Sequence, residues 1–147
     1  MREELIFTYV ELIQSKIAQT FQMIYDLSEG AQNDAKSSAG DKHETSLAMM
    51  HLEQEKLNRK LEEYYQQIQI LNRMKHLLPS LNIKEGSLIE TTNYYFVIGV
   101  ALPQIKFKNK ITFGLSLQAP LAQILKEKKC GDTFFLKQNK EYILRVE

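Results

Sequence analysis

The 147-residue chain has one cysteine, Cys130, and that scarcity excludes an internal disulfide framework and any zinc cluster built on several thiolates. A free thiol of this kind ordinarily sits half-buried without a role. Long apolar runs are missing too. Met1-Arg2-Glu3-Glu4 turns acidic at once, and no stretch has signal-peptide or membrane-spanning length, so the expected location is the cytoplasm and no membrane partner is expected. Nor is one sign of charge in excess: 19 basic residues face 18 acidic ones. That balance argues against a protein held to nucleic acid by its overall field, and against sequence-specific DNA binding. No Gly-rich phosphate loop, nucleophile elbow or Ser/His/Asp arrangement is recognisable, and neither is an internal repeat or a low-complexity tract.

With 44% hydrophobic and 25% charged residues, the chain has the composition of a globular protein of one ordinary domain or two small ones. Its charges are unevenly divided. Residues 1–77 carry 9 basic and 12 acidic side chains, net −3, whereas residues 78–147 carry 10 and 6, net +4. Apolar residues recur at Ile6, Tyr9, Ile13, Ile17, Phe21, Ile24 and Leu27, a three-four spacing that predicts a first helix of about 26 residues with one buried stripe. The spacing returns at Leu47, Met50, Leu57, Leu61, Tyr64, Ile68 and Leu71, with Gln54 as the one polar residue on the seam. Neither stripe can be buried alone. The intervening segment, residues 28–39, is short and rich in Ser, Gly, Asn and Asp, so the two helices are expected to fold back as an antiparallel coiled coil, with Ile13, Ile17 and Phe21 facing Leu57, Leu61, Tyr64 and Ile68.

Pro79 stops the second helix, and the pattern changes after residues 82–86. Six short β-rich runs follow, at residues 87–91, 94–101, 104–108, 111–116, 133–137 and 141–146. One helix interrupts them, residues 119–129, with Pro120 in its first turn and Cys130-Gly131 at its end. The expected fold class is α+β: residues 1–78 as a helical hairpin, and residues 79–147 as a small antiparallel sheet with a helix on one face.

Between the helical patterns lies Ser37-Ser38-Ala39-Gly40-Asp41-Lys42-His43-Glu44. Asp41 and Glu44, three apart ahead of a helix, admit two readings. One is a capping box, in which the Asp side chain accepts the N–H of Glu44 and the Glu reaches back. The other is metal chelation: residues three apart share a helix face, and Mg²⁺ is typically held by one or two carboxylates completed by waters and other oxygens. Two carboxylates make a weak site unless a partner supplies the remaining ligands.

The stretch Gly40-Asp41-Lys42-His43-Glu44, with Glu53-Gln54 further along the returning helix, resembles the acidic tip of the Gre-type transcript cleavage factors. The segment Ser116-Leu117-Gln118-Ala119-Pro120-Leu121-Ala122 to Gly131-Asp132 is similar to the Ser-Pro-Ile/Leu-Ala segment of the same family. The resemblance covers nearly the whole chain. It implies a coiled-coil arm that enters the secondary channel of RNA polymerase, and an FKBP-like second domain that docks at the channel rim. By the same resemblance, Asp41 and Glu44 would coordinate a Mg²⁺ shared with the polymerase active site, next to the 3′ end of the nascent RNA. The factor would stimulate the polymerase's own cleavage of backtracked transcripts and would have no catalysis of its own and no intrinsic cofactor. Where the family commonly has Asn-Ala-Glu-Tyr after this Glu, the chain has Thr45-Ser46-Leu47-Ala48. The alternatives are a polymerase-binding regulator that promotes no cleavage, and an FKBP-like prolyl isomerase or chaperone module.

Further binding candidates are Lys42 and His43 at the tip, which could meet RNA or phosphate. Lys106, Lys108 and Lys110 alternate along a strand and hairpin and are expected to share one face, either as protection of a sheet edge or as a surface for an acidic partner. His51 and His76 are too far apart to converge on a metal, and Tyr64 and Tyr65 are expected to pack in the coiled coil.

Overall fold

The structure is a computed structural model that describes residues 1–37 and 40–147, with the side chains of residues 34–37 and of Asp41 outside the description. It is α+β. Helices α1 (Arg2–Ser37) and α2 (Asp41–Lys75) form a pair. They precede strands β1 (Leu88–Thr91), β2 (Tyr94–Ile98), β3 (Leu102–Phe107) and β4 (Lys110–Leu115), helix α3 (Pro120–Lys126), and strands β5 (Thr133–Leu136) and β6 (Asn139–Val146).

The helical compact unit spans Val10–Ile68. Along α2 the expected seam holds: Leu47, Met50, Gln54, Leu57, Leu61, Tyr64 and Ile68 are all buried or half-buried. Gln54 donates from Nε2 to Ser28 Oγ at 3.0 Å, so the polar break in the seam finds its partner on the opposite helix. Two expectations for α1 are corrected. Phe21 is 51% exposed, and Thr20 takes the buried place at 5%. At 100° per residue, Thr20 lies 20° from Ile13 on the helix surface, whereas Phe21 lies 80° away, because two successive steps of four carry the stripe off the seam. The buried Thr20 hydroxyl is satisfied by the Lys16 carbonyl at 2.7 Å. The second correction is length. Residues 28–37, expected as a loop, continue the helix, since Glu29, Ala31, Gln32, Ala35 and Lys36 are strong helix formers that outweigh the Ser, Gly, Asn and Asp among them.

The other compact unit takes in Met1–Tyr9 together with Gln69–Glu147, so the units divide within the helices and not at Pro79. The reason lies in the sheet, whose strand order is β3-β4-β2-β1-β6-β5. One face packs Ile89, Phe96, Ile98, Phe134 and Ile143 against Ala122 and Leu125 of α3. Phe96 stacks on Phe113 at 5.9 Å and meets Phe134 edge-on at 6.0 Å. The other face carries Leu88, Tyr95 and Val97, which are buried along with Leu5, Ile6, Tyr9, Leu71 and Met74 from the ends of α1 and α2. Tyr9 fixes that layer: its hydroxyl donates to the Pro103 carbonyl at 3.1 Å and approaches that of Thr112 at 3.4 Å.

Four ladders of the sheet are antiparallel, and one, β2 with β4, is parallel, a correction to the all-antiparallel expectation. On the α3 side β4 presents Phe113 and Leu115, while β3 presents the exposed Gln104 and Lys106. The apolar strand therefore takes the inner place and β3 the edge, where Pro103 is also tolerated. Gly114 permits the close approach at this point, since a Cβ there would lie 2.4 Å from that of Leu102. At the opposite end, Glu141 is fully buried and its carboxylate accepts the Asn93 N–H at 3.1 Å and the Asn93 side-chain amide at 2.7 Å, pinning the β1–β2 turn to β6.

Two predictions follow from the packing. Leu61→Ala, at a site 6% exposed, is expected to lower unfolding free energy by ~2–4 kcal/mol in denaturant titration, while Phe21→Ala costs less than ~1 kcal/mol. Burial raises the Tyr9 phenol far above its ordinary value of 10.0. The unfolded chain then releases this proton above pH ~10 while the folded one retains it, so stability falls as pH rises past that point, by up to ~1.4 kcal/mol per pH unit. Tyr9→Phe should flatten this alkaline fall and cost ~1 kcal/mol at neutral pH through the lost hydrogen bond.

Candidate functional site

Gly40 sets the start of the returning helix. Its φ of +68° lies in the left-handed region that glycine enters without a Cβ penalty. The N–H groups of His43 and Glu44 donate to the Gly40 carbonyl at 3.1 and 3.3 Å, so α2 closes its first bonds on Gly40 and Asp41 already belongs to the helix. Gly40, not Asp41, thereby holds the cap place, and having no side chain it cannot make the capping box expected of Asp41 and Glu44. The Asp41 side chain lies outside the described residues, as do Ser38 and Ala39. Asp41 and Glu44 thus share the first turn of α2, where the positive end of the helix dipole favours carboxylates.

Glu44 and Lys42 are exposed, and His43 is half-buried. His43 precedes Leu47 by four residues and so continues the α2 seam. Its Nδ1 is shielded from solvent and lacks a hydrogen-bond partner among the described residues. It is therefore a seam residue whose Nδ1 is turned from solvent while the ring as a whole stays partly exposed. Among the described residues no group of three or more His, Cys, Asp or Glu side chains comes together to enclose a metal. The exposed Glu44 carboxylate suits a single ligand contributed to an ion whose other ligands come from another molecule. His51 and His76 are exposed and separate.

The three lysines do not share one face. Lys108 and Asn109 have φ of 42° and 68°, as a two-residue turn with both φ positive requires, and this turn sets Phe107 opposite Lys110 and Lys106 opposite Ile111. Phe107 and Lys110 therefore share one side of the sheet and Lys106 lies on the other. Lys110 donates to Glu90 Oε1 and to the Thr91 carbonyl, each at 2.7 Å, and its ammonium lies 5.2 Å from the Tyr95 ring centroid. Lys108 pairs with Glu4. Two of the three lysines are thus engaged within the sheet unit, and Lys106 remains exposed at the β3 edge.

Tyr64 keeps its seam place under the Lys60 ammonium, 5.5 Å from the ring centroid, but Tyr65, one step round the helix, is exposed. The Cys130 thiol is exposed as well, contrary to expectation, and contacts the Leu144 carbonyl at 3.2 Å. The buried Glu141 was not legible in advance, because its partner Asn93 is 48 residues away in sequence.

No helix among the described residues is long and apolar enough to cross a membrane. Comparisons with protein-family models, with curated proteins and with solved structures find no match to this chain.

The lysine geometry separates structural from free cations. Lys110→Ala leaves the half-buried Glu90 with the long Tyr95 hydroxyl contact at 3.4 Å in place of its ion pair and should lower stability by ~1–2 kcal/mol, whereas Lys106→Ala should stay within ~0.5 kcal/mol. Equal effects in thermal unfolding would refute the assignment.

Proposed function

We propose that this protein is an accessory factor of RNA polymerase that reaches the polymerase active site through the secondary channel with the Gly40–Glu44 end of its helical pair and promotes cleavage of backtracked transcripts. The observation that supports the reading is the helix start at Gly40, which puts Asp41 and an exposed Glu44 in the first turn of a 35-residue helix paired with one of 36 residues. At ~1.5 Å per residue each helix runs roughly 50 Å, long for a chain of this size. Length with a carboxylate pair at its end suits delivery of ligands to a site in another molecule.

In this reading Asp41 and Glu44 hold Mg²⁺ together with polymerase ligands, and the ion, when bound, supplies an activated water. The chain's own residues position: Gly40 sets the helix start, and the helix dipole favours the ionised carboxylates. Lys42, exposed beside them, offers a cation to the RNA backbone. Lys106 is the member of the lysine set left open for an acidic docking surface. A second reading, a channel-binding regulator without cleavage, is favoured by Thr45-Ser46-Leu47-Ala48, which adds no further acid to the tip.

Adding the purified protein to stalled, backtracked elongation complexes tests the proposal. Cleavage of the transcript is expected, and Asp41→Asn or Glu44→Gln should abolish it while leaving polymerase affinity within a few fold. Binding without cleavage by the wild type would transfer the conclusion to the regulator. Full cleavage by both variants would remove the carboxylates from the mechanism.

A further inference from the structure

A groove of about 790 Å³ runs between α1 and α2 within the helical unit. Its floor is the apolar seam itself, Leu27, Met50 and Leu57. Its lips are the rows next to the seam: Met23, Asp26 and Gly30 on α1, and Met49 and Glu53 on α2. The lips follow three-four spacing, so they run along the helices as continuous rows. Met23 is 54% and Met49 65% exposed, an unusual amount of open apolar surface to find on both sides of one groove. At Gly30 the α1 lip is low, for a Cβ there would meet nothing within 4 Å.

Among the described residues the lining carries two carboxylates, Asp26 and Glu53, and no cation. They stand on opposite lips. Asp26 accepts a hydrogen bond from Gln22 Nε2 at 2.8 Å, and neither carboxylate is in a salt bridge among the described residues. The walls are helical, so their backbone donors and acceptors are already engaged. An extended peptide laid in the groove would leave its own backbone groups unpaired, whereas a helix brings them satisfied.

We propose that this groove receives an amphipathic α-helix of a partner protein, apolar along one side and bearing lysine or arginine along both edges of that side, which completes a three-helix bundle. The apolar side covers Leu27, Met50 and Leu57, and the unbranched methionines adapt to its side chains. Gly30 lets the partner helix approach α1 closely. The cations meet Asp26 and Glu53, and this complementarity selects a basic helix over an acidic one. The groove begins at Thr45 and Ser46, directly after Glu44, so a helix bound here and an arm inserted in the polymerase channel would compete for the same end of the helices; the binding test itself needs no polymerase.

The test uses the intact protein and a fluorescently labelled helical peptide about four turns long, with Leu at i, i+3, i+4 and i+7 and Lys along both edges, beside a control with Glu for Lys. Anisotropy titration should show the Lys peptide binding at least about fivefold more tightly than the Glu peptide. Asp26→Asn with Glu53→Gln should erase that preference. Gly30→Leu fills the low lip and improves helix propensity, so it should fold, as circular dichroism would verify, yet bind the Lys peptide about tenfold more weakly. The proposal is overturned if the Lys peptide fails to bind at millimolar concentration, if both peptides bind equally, or if Gly30→Leu binds like the wild type. It is also overturned if sedimentation shows self-association that Gly30→Leu abolishes, since the occupant would then be a second copy of the chain.

Discussion

A six-stranded sheet with apolar side chains on both faces and a single seven-residue helix of its own must find a second cover, and this requirement shapes the sheet unit. Helix α3 covers the face of Ile89, Phe96 and Ile98. The opposite face, with Leu88, Tyr95 and Val97, would stay wet without Leu5, Ile6, Tyr9, Leu71 and Met74 from the two long helices. Each such side chain contributes ~1.5–3 kcal/mol when fully buried, so the covering layer is a large share of the stabilisation available to a unit of this size. Because burial is what joins these segments, the compact unit includes nine residues from the start of the chain and begins again inside α2. The Tyr9 hydroxyl adds direction to that burial by ending on the backbone of β3 and β4.

The helical unit solves a different problem with a simpler device. Two stripes at three-four spacing cover each other, and polar interruptions are tolerated where they meet a partner: Gln54 donates to Ser28, and Thr20 donates to its own helix. A two-helix arrangement buries only one seam per helix, however. The rows beside the seam remain open, and where they are apolar, as at Met23 and Met49, they form a groove. Exposure of that kind follows from having two helices where a third could pack.

Charge is used locally in this molecule. Residues 78–147 carry a net charge of +4, yet Lys110 is committed to Glu90 and Thr91, and Lys108 to Glu4. Each holds an aromatic ring as well, Lys110 over Tyr95 and Lys108 over Phe107. Cations that are tied to carboxylates and rings are less available to a partner than a count of residues implies. The buried Glu141 makes the same point with opposite sign, since its carboxylate holds the β1–β2 turn through Asn93 and is in no salt bridge among the described residues.

The sequence alone determined the α+β class, the two helical stripes, the six strand-forming runs and the place of α3, because each depends on periodicity or turn chemistry within a few residues. The α2 seam was legible residue by residue, since its steps alternate between three and four without slipping. Legibility failed wherever the deciding partner was remote. The seam chose Thr20 over Phe21 because a 20° offset stays against the opposite helix and an 80° offset does not. Helix α1 ran through residues 28–37 because propensity and pairing outweighed a composition that reads as a turn. The acidic tip was readable as a motif, but its cap passed to Gly40 through a backbone dihedral that no residue count reveals. Strand β4 took the inner place beside β2, the lysines parted to two faces and the methionine groove opened, all by tertiary structure. Each depends on which side chains lie across from one another, and burial and hydrogen bonding decide that only when the whole chain is folded.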